Sequence, residues 1–329
     1  MSEPYVSVVI PVFNGGLYIA RCIDSILSQS FVAYEVIVVD DCSVDNTRDV
    51  VREYCSCNKN IKLIERNKNS GGGRLPRFDG ILSSNGKFVC PVDADDTLER
   101  DYIKKLVQRQ RETQADIVLG RMVICSSTGS LTGRMIPEVD YDMDEFFSGT
   151  EAVKHTCRSF EIALAGMLCE TSLYKECIRE FNSGYDCDAF SDELDQRRLL
   201  LKAKRVSMVD ARYFYWQVSS SIVHTKSVNL ERVLHIRRVF DFFLQEFRDD
   251  PKIKHDITEN SLESLYRLCQ AHCVRASIQS IKMLKDAHAY IVKNCNTSIR
   301  SRFRFFSVMF LFACASVFLA KLRMKIGCK

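Results

Sequence analysis

Through the first 120 residues, short β-branched apolar runs alternate with segments whose apolar side chains recur at spacings of three and four. Val6 to Pro11, Glu35 to Asp40, Ile61 to Glu65, Lys87 to Val92 and Asp116 to Gly120 have the length and composition of buried strands. Leu17 to Ser28, with Leu17, Ala20, Ile23, Ile26 and Leu27 at helical spacing, reads as the first helix; Val44 to Tyr54, Arg77 to Ser84 and Tyr102 to Thr113 follow. Strands separated by crossover helices predict an α/β fold with a doubly wound, mainly parallel sheet flanked by helices. Such sheets take ligands at the carboxyl ends of their strands.

Between Gly120 and Gly149 the pattern weakens to loop with short strands. It resumes with helices near Glu151 to Arg158, from Ser172, and over Ser191 to Lys202, with an apolar stretch at Ile162 to Cys169. Two strand-like runs, Arg205 to Val209 and Ala211 to Trp216, come next, and beyond Val228 helices are expected near 229–248, 256–275 and 279–293. Four parts result: a ligand-binding half over 1–120, a second half over 121–227, a helical C-terminal extension over 228–299 and a terminal segment over 300–329.

Charge singles out that last part. Residues 300–329 hold seven Lys or Arg and no acid, whereas residues 1–299 carry 39 basic and 42 acidic side chains. Its sixteen-residue uncharged run FFSVMFLFACASVFLA would make a helix of about 24 Å, short of the roughly 30 Å hydrocarbon layer. An apolar helix with basic flanks predicts shallow attachment to an anionic membrane surface, with a buried C-terminal helix as the alternative. Localised charge argues against a nucleic-acid partner. MSEPYVSVVIPVFN has no basic segment leading into a long apolar run, so no secretory signal is read. The expected location is cytoplasmic, peripherally attached at the inner face of the cell membrane. The fifteen cysteines form no paired CxxC pattern, which predicts free thiols packed as small apolar groups, Cys269 and Cys273 included.

Three polar clusters follow predicted strands: Pro11 to Asn14, Asp40 to Ser43, and Asp93 to Asp96. Taken alone, CPVDADDTLERDYI reads equally as a metal site or as helix capping by Asp96 or Thr97 before a helix from Glu99. On a shared rim the clusters point to one ligand site.

VSVVIPVFN (6–14), VIVVDDCSVDNT (36–47), NSGGGRLPRFDGI (69–81) and VDADDTL (92–98) resemble, in order and spacing, the motifs of family 2 glycosyltransferases, which have the GT-A fold. Residues 190–217 resemble the acceptor half of that catalytic domain. The resemblance implies an inverting enzyme that moves a single sugar from a nucleotide-diphosphate donor, with uridine expected, to a carbohydrate or polyprenyl-linked glycan acceptor in bacterial surface polysaccharide synthesis. It assigns Asp93 and Asp95 to the DxD motif with Mg²⁺ or Mn²⁺, and Asp93 with Ala94 to the donor site. Asp41 matches the base-binding aspartate, walled by Pro11, Phe13 and Asn14, while Asp40 is expected to fix the turn. Cys42 replaces the family's usual glycine, which suggests a turn without positive φ. Gly71 and Arg77 would meet the diphosphate; pairing of Arg77 with Asp93 is the competing reading. Phe78 and Asp79 depart from the usual residues and are expected to alter the sugar pocket.

Asp192 aligns with the catalytic base, and Glu193, another acid at a helix start, is the runner-up. Trp216 either stacks on a sugar or packs at a strand end. The absence of QxxRW after Gln196 favours single transfer over polymerisation. Two rival readings use the same sheet: a sugar nucleotidyltransferase, disfavoured because PVFNGGLYIARC offers no long basic Gly-rich loop, and a non-catalytic glycan-binding module, disfavoured by the full set of acids.

Overall fold

A computed structural model describes residues 3–126, 130–136, 146–158, 166–181, 191–216, 230–272 and 278–294. The chain divides into two compact units, residues 1–156 with 160–221, and residues 157–159 with 222–329.

The first unit is built on one sheet, ordered β3-β2-β1-β4-β9-β6-β10-β5. Here β1 is Val6–Val12, β2 Tyr34–Asp40, β3 Ile61–Glu65, β4 Phe88–Pro91, β5 Thr97–Leu98, β6 Ile117–Cys125, β9 Leu168–Glu170 and β10 Val206–Trp216; β7 (Leu131–Ile136) pairs with β6, and β8 (Phe146–Phe147) with β10. Strands β3, β2, β1 and β4 are mutually parallel, as are β6 and β10. The short β9 runs antiparallel to both β4 and β6, joining these two parallel groups. The full sheet is therefore mixed. Residues 206–216, within a stretch expected as two strands, form one strand whose register shifts between Met208 and Arg212, a bulge that re-aims its second half.

Every residue of β1 and β2 is buried, which fits strands covered on both faces and explains their continuous apolar runs. The covering helices are α1 (Ile19–Leu27), α2 (Thr47–Cys57), α3 (Arg74–Leu82) and α4 (Tyr102–Thr113). Gly80 lets α3 lie close on the sheet, since a Cβ there would come within 2.4 Å of Val9 Cγ1. Next come α5 (Gly149–His155), closed by a capping box between Ser148 and Glu151, then α6 (Thr171–Phe181) and α7 (Ser191–Lys202).

The second unit contains α8 (Leu230–Glu246), α9 (Pro251–His272) and α10 (Ile278–Asn294), packed on one another. Ile236, Phe240, Phe243, Ile257, Leu265 and Leu284 are among its buried side chains. No helix among the described residues is long and apolar enough to cross a membrane. Residues 300–329 and Cys273, with the side chain of Cys269, lie outside the described residues. The described cysteines are free, and Cys22, Cys90, Cys125, Cys157, Cys169 and Cys177 are buried.

Candidate active site

The parallel register sets the predicted acidic clusters side by side. Val12 pairs with Asp40 across β1 and β2, and Val9 with Pro91 across β1 and β4. The chain leaving each strand remains bonded to β1: Asp41 N–H donates to Val12 O at 2.8 Å and Val92 N–H to Val9 O at 2.9 Å. Asn14, at φ +49°, ties the first two loops together, accepting from Val44 N–H at 2.9 Å while its own N–H donates to Ser43 Oγ at 2.8 Å. Pro11 is buried within β1, and Phe13 beside it is half-exposed.

Asp40 and Asp41 are both buried, with different partners. Asp40 Oδ2 accepts from Arg48 Nε at 2.6 Å and from Ser43 N–H at 3.1 Å, so this carboxylate does fix the turn. Asp41 Oδ2 accepts from the Ser70 hydroxyl at 2.7 Å and its N–H at 2.9 Å, which draws the glycine loop to the rim. Asp41 Oδ1 accepts no hydrogen bond among the described residues; Arg66 Nη1 stands 3.5 Å away. The turn between them corrects the expectation for Cys42, whose φ of +65° lies in the left-handed region that glycine occupies freely. Gly71, at φ +85°, meets that need by residue type.

Beyond β4, Asp93 to Asp96 form a turn closed by Asp96 N–H donating to Asp93 O at 3.1 Å, with Ala94 inside it. Arg77 Nη2 donates to Asp93 Oδ1 at 2.9 Å, so the competing reading of Arg77 is the contact present. Asp96 does not cap a helix: Thr97 and Leu98 form β5, and α4 begins at Tyr102. Fully buried, Asp96 accepts instead from the Tyr213 hydroxyl at 2.6 Å and from Trp216 N–H at 2.9 Å. The same hydroxyl accepts from Asp93 N–H at 3.0 Å, clamping the turn to β10. Burial, then the Asp95 and Asp93 charges, push the Asp96 carboxyl well above its usual range. Asp95 is different. No side chain among the described residues hydrogen-bonds its carboxylate, and burial with the Asp93 charge pushes it up to about 6.

Trp216 packs rather than standing free on both faces. The Arg21 guanidinium lies 3.9 Å from its ring centre, and its indole N–H donates to Thr97 Oγ1 at 3.0 Å. Phe78 is likewise buried, with Arg74 over its ring at 4.9 Å, while Asp79 pairs with Arg66 at 3.3 Å. Asp192 and Glu193 lie in the first turn of α7. The Asp192 side chain lies outside the described part; Glu193 Oε2 is 3.9 Å from Arg197 Nη1.

Sequence reasoning missed four supporting residues. Arg21 Nη2 donates to Asp95 O at 2.6 Å, Tyr213 clamps the acidic turn, and Ser70 and Arg66 face Asp41. For Tyr213 the period-two pattern with buried Ala211 offered a signal; for Arg21 and Arg66 only the fold brings the partners together.

This sheet, with acidic loops at the carboxyl ends of its parallel strands, is the GT-A fold. The S. aureus TarS 1–349 crystal structure with UDP-GlcNAc is similar over 88% of each chain, at TM-score 0.62 and 21% identity. A mannosyltransferase from Pyrobaculum calidifontis with GDP-Man and Mn²⁺ is similar over 96% of this chain and 87% of its own, at TM-score 0.53 and 15% identity. Residues 7–167 match the sequence model of glycosyl transferase family 2. A poly(ribitol-phosphate) beta-glucosyltransferase from Bacillus spizizenii is 31% identical over 215 residues, covering 64% of this chain. The chain spans about a third of that relative's length, 32%.

Proposed function

We propose that the chain is an inverting glycosyltransferase moving one sugar from a nucleotide-diphosphate donor, a UDP-sugar, to a carbohydrate or lipid-linked glycan acceptor of the bacterial surface. The observation that carries this reading is the Asp95 carboxylate. It is largely buried beside the Asp93 charge, without a side-chain hydrogen-bond donor among the described residues, on the rim that also presents Asp41. The names of the relatives, a glucosyltransferase acting on poly(ribitol phosphate) and a TarS complex with UDP-GlcNAc, support the donor and acceptor class.

Asp41 Oδ1 is the acceptor for a base N–H, and half-exposed Phe13 follows Val12, whose carbonyl accepts from Asp41 N–H. Asp93 and Asp95 suit Mg²⁺ or Mn²⁺ because both offer hard carboxylate oxygens and the Arg21 charge only partly offsets burial and the Asp93 charge at Asp95. Among the described residues no group of three or more His, Cys, Asp or Glu could hold an ion alone. Asp93 and Asp95 would hold the ion together with the donor's phosphate oxygens, which are hard ligands of the same kind. When bound it neutralises charge on the departing diphosphate, worth several kcal/mol. Arg77 keeps Asp93 oriented and adds a cation at the same place. On the acceptor side Asp192 takes the hydroxyl proton, a contribution of roughly 10²- to 10⁴-fold, with Glu193 as alternative.

Residues 300–329 are proposed to attach the protein to an anionic membrane where a lipid-linked acceptor resides. Flotation with anionic liposomes should be lost on their removal; equal binding would refute the anchor. For catalysis, nucleoside diphosphate release is measured across donors with and without EDTA. Turnover insensitive to EDTA and to Asp95→Asn would sink the metal role, and unchanged turnover in Asp192→Asn would sink the base assignment.

A further inference from the structure

One charged pair in the first unit lies within the segments that carry the resemblance but has no role assigned above. Arg74 opens α3 and Asp195 lies in α7, separated by 121 residues. Arg74 Nε donates to Asp195 Oδ2 at 2.5 Å and Arg74 Nη2 to Oδ1 at 3.2 Å, a two-pronged bond. The side chains are only 4% and 2% exposed. Burial pushes the Asp195 carboxyl above its ordinary range even though Arg74 and Arg198 pull it down. A pair so desolvated is weak stabilisation, and apolar side chains of similar volume would serve a core as well.

Its placement suggests another use. Arg77, three residues further along α3, holds Asp93 of the acidic turn, and Asp195 lies three residues beyond Asp192 on α7. Positions three apart are neighbours on a helix, about 4.5 Å along its axis. One turn of α3 thus grips the donor-side loop with one arginine and the first turns of α7 with the other. We propose that the Arg74–Asp195 pair is a positioning device that fixes the start of α7, and the base it carries, against the donor site. This rests on the transfer reading and on a base in the first turn of α7. The planar fork supplies a fixed angle and distance, which an apolar contact of equal stability does not.

The test replaces both charges at once, Arg74→Met with Asp195→Leu, in the full chain. Thermal midpoint, donor KM, kcat and amide hydrogen exchange over residues 191–196 are compared with the parent. The expected result is a folded protein with donor KM within about twofold of the parent, kcat lowered about tenfold or more, and faster exchange at 191–196. If the double variant does not fold, Asp195→Asn, which keeps shape and an acceptor oxygen, is judged by the same kcat against KM comparison. Parent-like kcat, or unchanged exchange at 191–196, overturns the proposal. A parent that releases no nucleoside diphosphate from any donor sinks the transfer reading and this inference together. An active parent beside an unimpaired double variant sinks the inference alone.

Discussion

Two acidic strand ends flank β1 on this rim, and the protein treats them in opposite ways. After β2, Asp40 meets Arg48 at 2.6 Å, and Asp41 meets Ser70 and, at 3.5 Å, Arg66. The chain itself supplies the countercharge. After β4, three carboxylates share Arg77 through Asp93, Asp96 is held by a hydroxyl and an amide, and Asp95 has no side-chain hydrogen bond among the described residues. Arg21 comes close but spends its Nη2 on the backbone oxygen of Asp95. The first doublet is a structural joint with two buried oxygens, Asp40 Oδ1 and Asp41 Oδ1, that accept no hydrogen bond among the described residues, whereas in the second the nearby Arg21 is the only charge that works against burial and Asp93 at Asp95. Poorly compensated charge in a partly dry site costs stability unless something from outside neutralises it, which is what a divalent metal ion would do.

The sharpest way to break this contrast is to neutralise one acid at each end. Asp95→Asn should lower turnover by about 10³-fold or more, as expected when transition-state charge loses several kcal/mol of stabilisation. The same change should raise the thermal midpoint of the ligand-free protein at pH 7, because it removes a carboxylate that burial penalises. Asp40→Asn should do the reverse, weakening the Arg48 contact and costing about 1–3 kcal/mol of stability with kcat nearly unchanged. Steady-state kinetics and urea unfolding on both variants decide it. If Asp95→Asn lowers stability, the second cluster is a joint like the first.

Asp96 tests the boundary between the two behaviours. Asp96→Ala strands the buried Tyr213 hydroxyl and the Trp216 N–H, so a loss of about 2–4 kcal/mol is expected. Asp96→Asn, retaining an acceptor, should cost clearly less. Equal losses in urea unfolding would mean that the contact to β10 carries little.

The pH dependence of the same pair of proteins is a smaller effect with a definite sign. A folded pKa of about 6 for Asp95 exceeds the unfolded value of roughly 3.9. The folded state therefore binds the proton first, and the Asp95 penalty is fully present above pH 6 and fades as pH falls towards 4. The ligand-free stability gap between Asp95→Asn and the parent should narrow across that window. Mn²⁺ with UDP should raise the parent's thermal midpoint at pH 7.5 and much less at pH 5. A gap constant with pH would show that Asp95 is not perturbed.

How much of this was legible beforehand follows from the range of each interaction. β1, β2 and β4 read clearly because strands buried on both faces are continuous apolar runs, and their polar ends named the rim. β5 and β9 did not, since two- and three-residue strands have no period to detect and exist through their partners. Residues 74–76, which contain a proline, begin α3 three residues earlier than expected, since proline is tolerated in a first helical turn. Local spacing suggested a cap at Asp96, but Tyr213, 117 residues away, determines its role. The Arg74–Asp195 pair was invisible for the same reason.

The smallest expected effect lies in the turn between the two aspartates of the first cluster. At φ +65°, Cys42 holds a conformation that costs a residue with a Cβ roughly 1–2 kcal/mol, and glycine nothing. Cys42→Gly removes that strain but gives the unfolded chain more freedom, returning about 0.5–1 kcal/mol, and it loses a thiol contact with Arg48. A net gain of about 0.5 kcal/mol is expected, seen as a small rise in the urea midpoint with an unchanged slope. Because the left-handed turn is already formed, Asp41 should stay in place and UDP affinity should change less than twofold. A large gain in affinity would mean instead that the cysteine holds Asp41 away from its working position, and that the first strand end is less finished than its hydrogen bonds indicate.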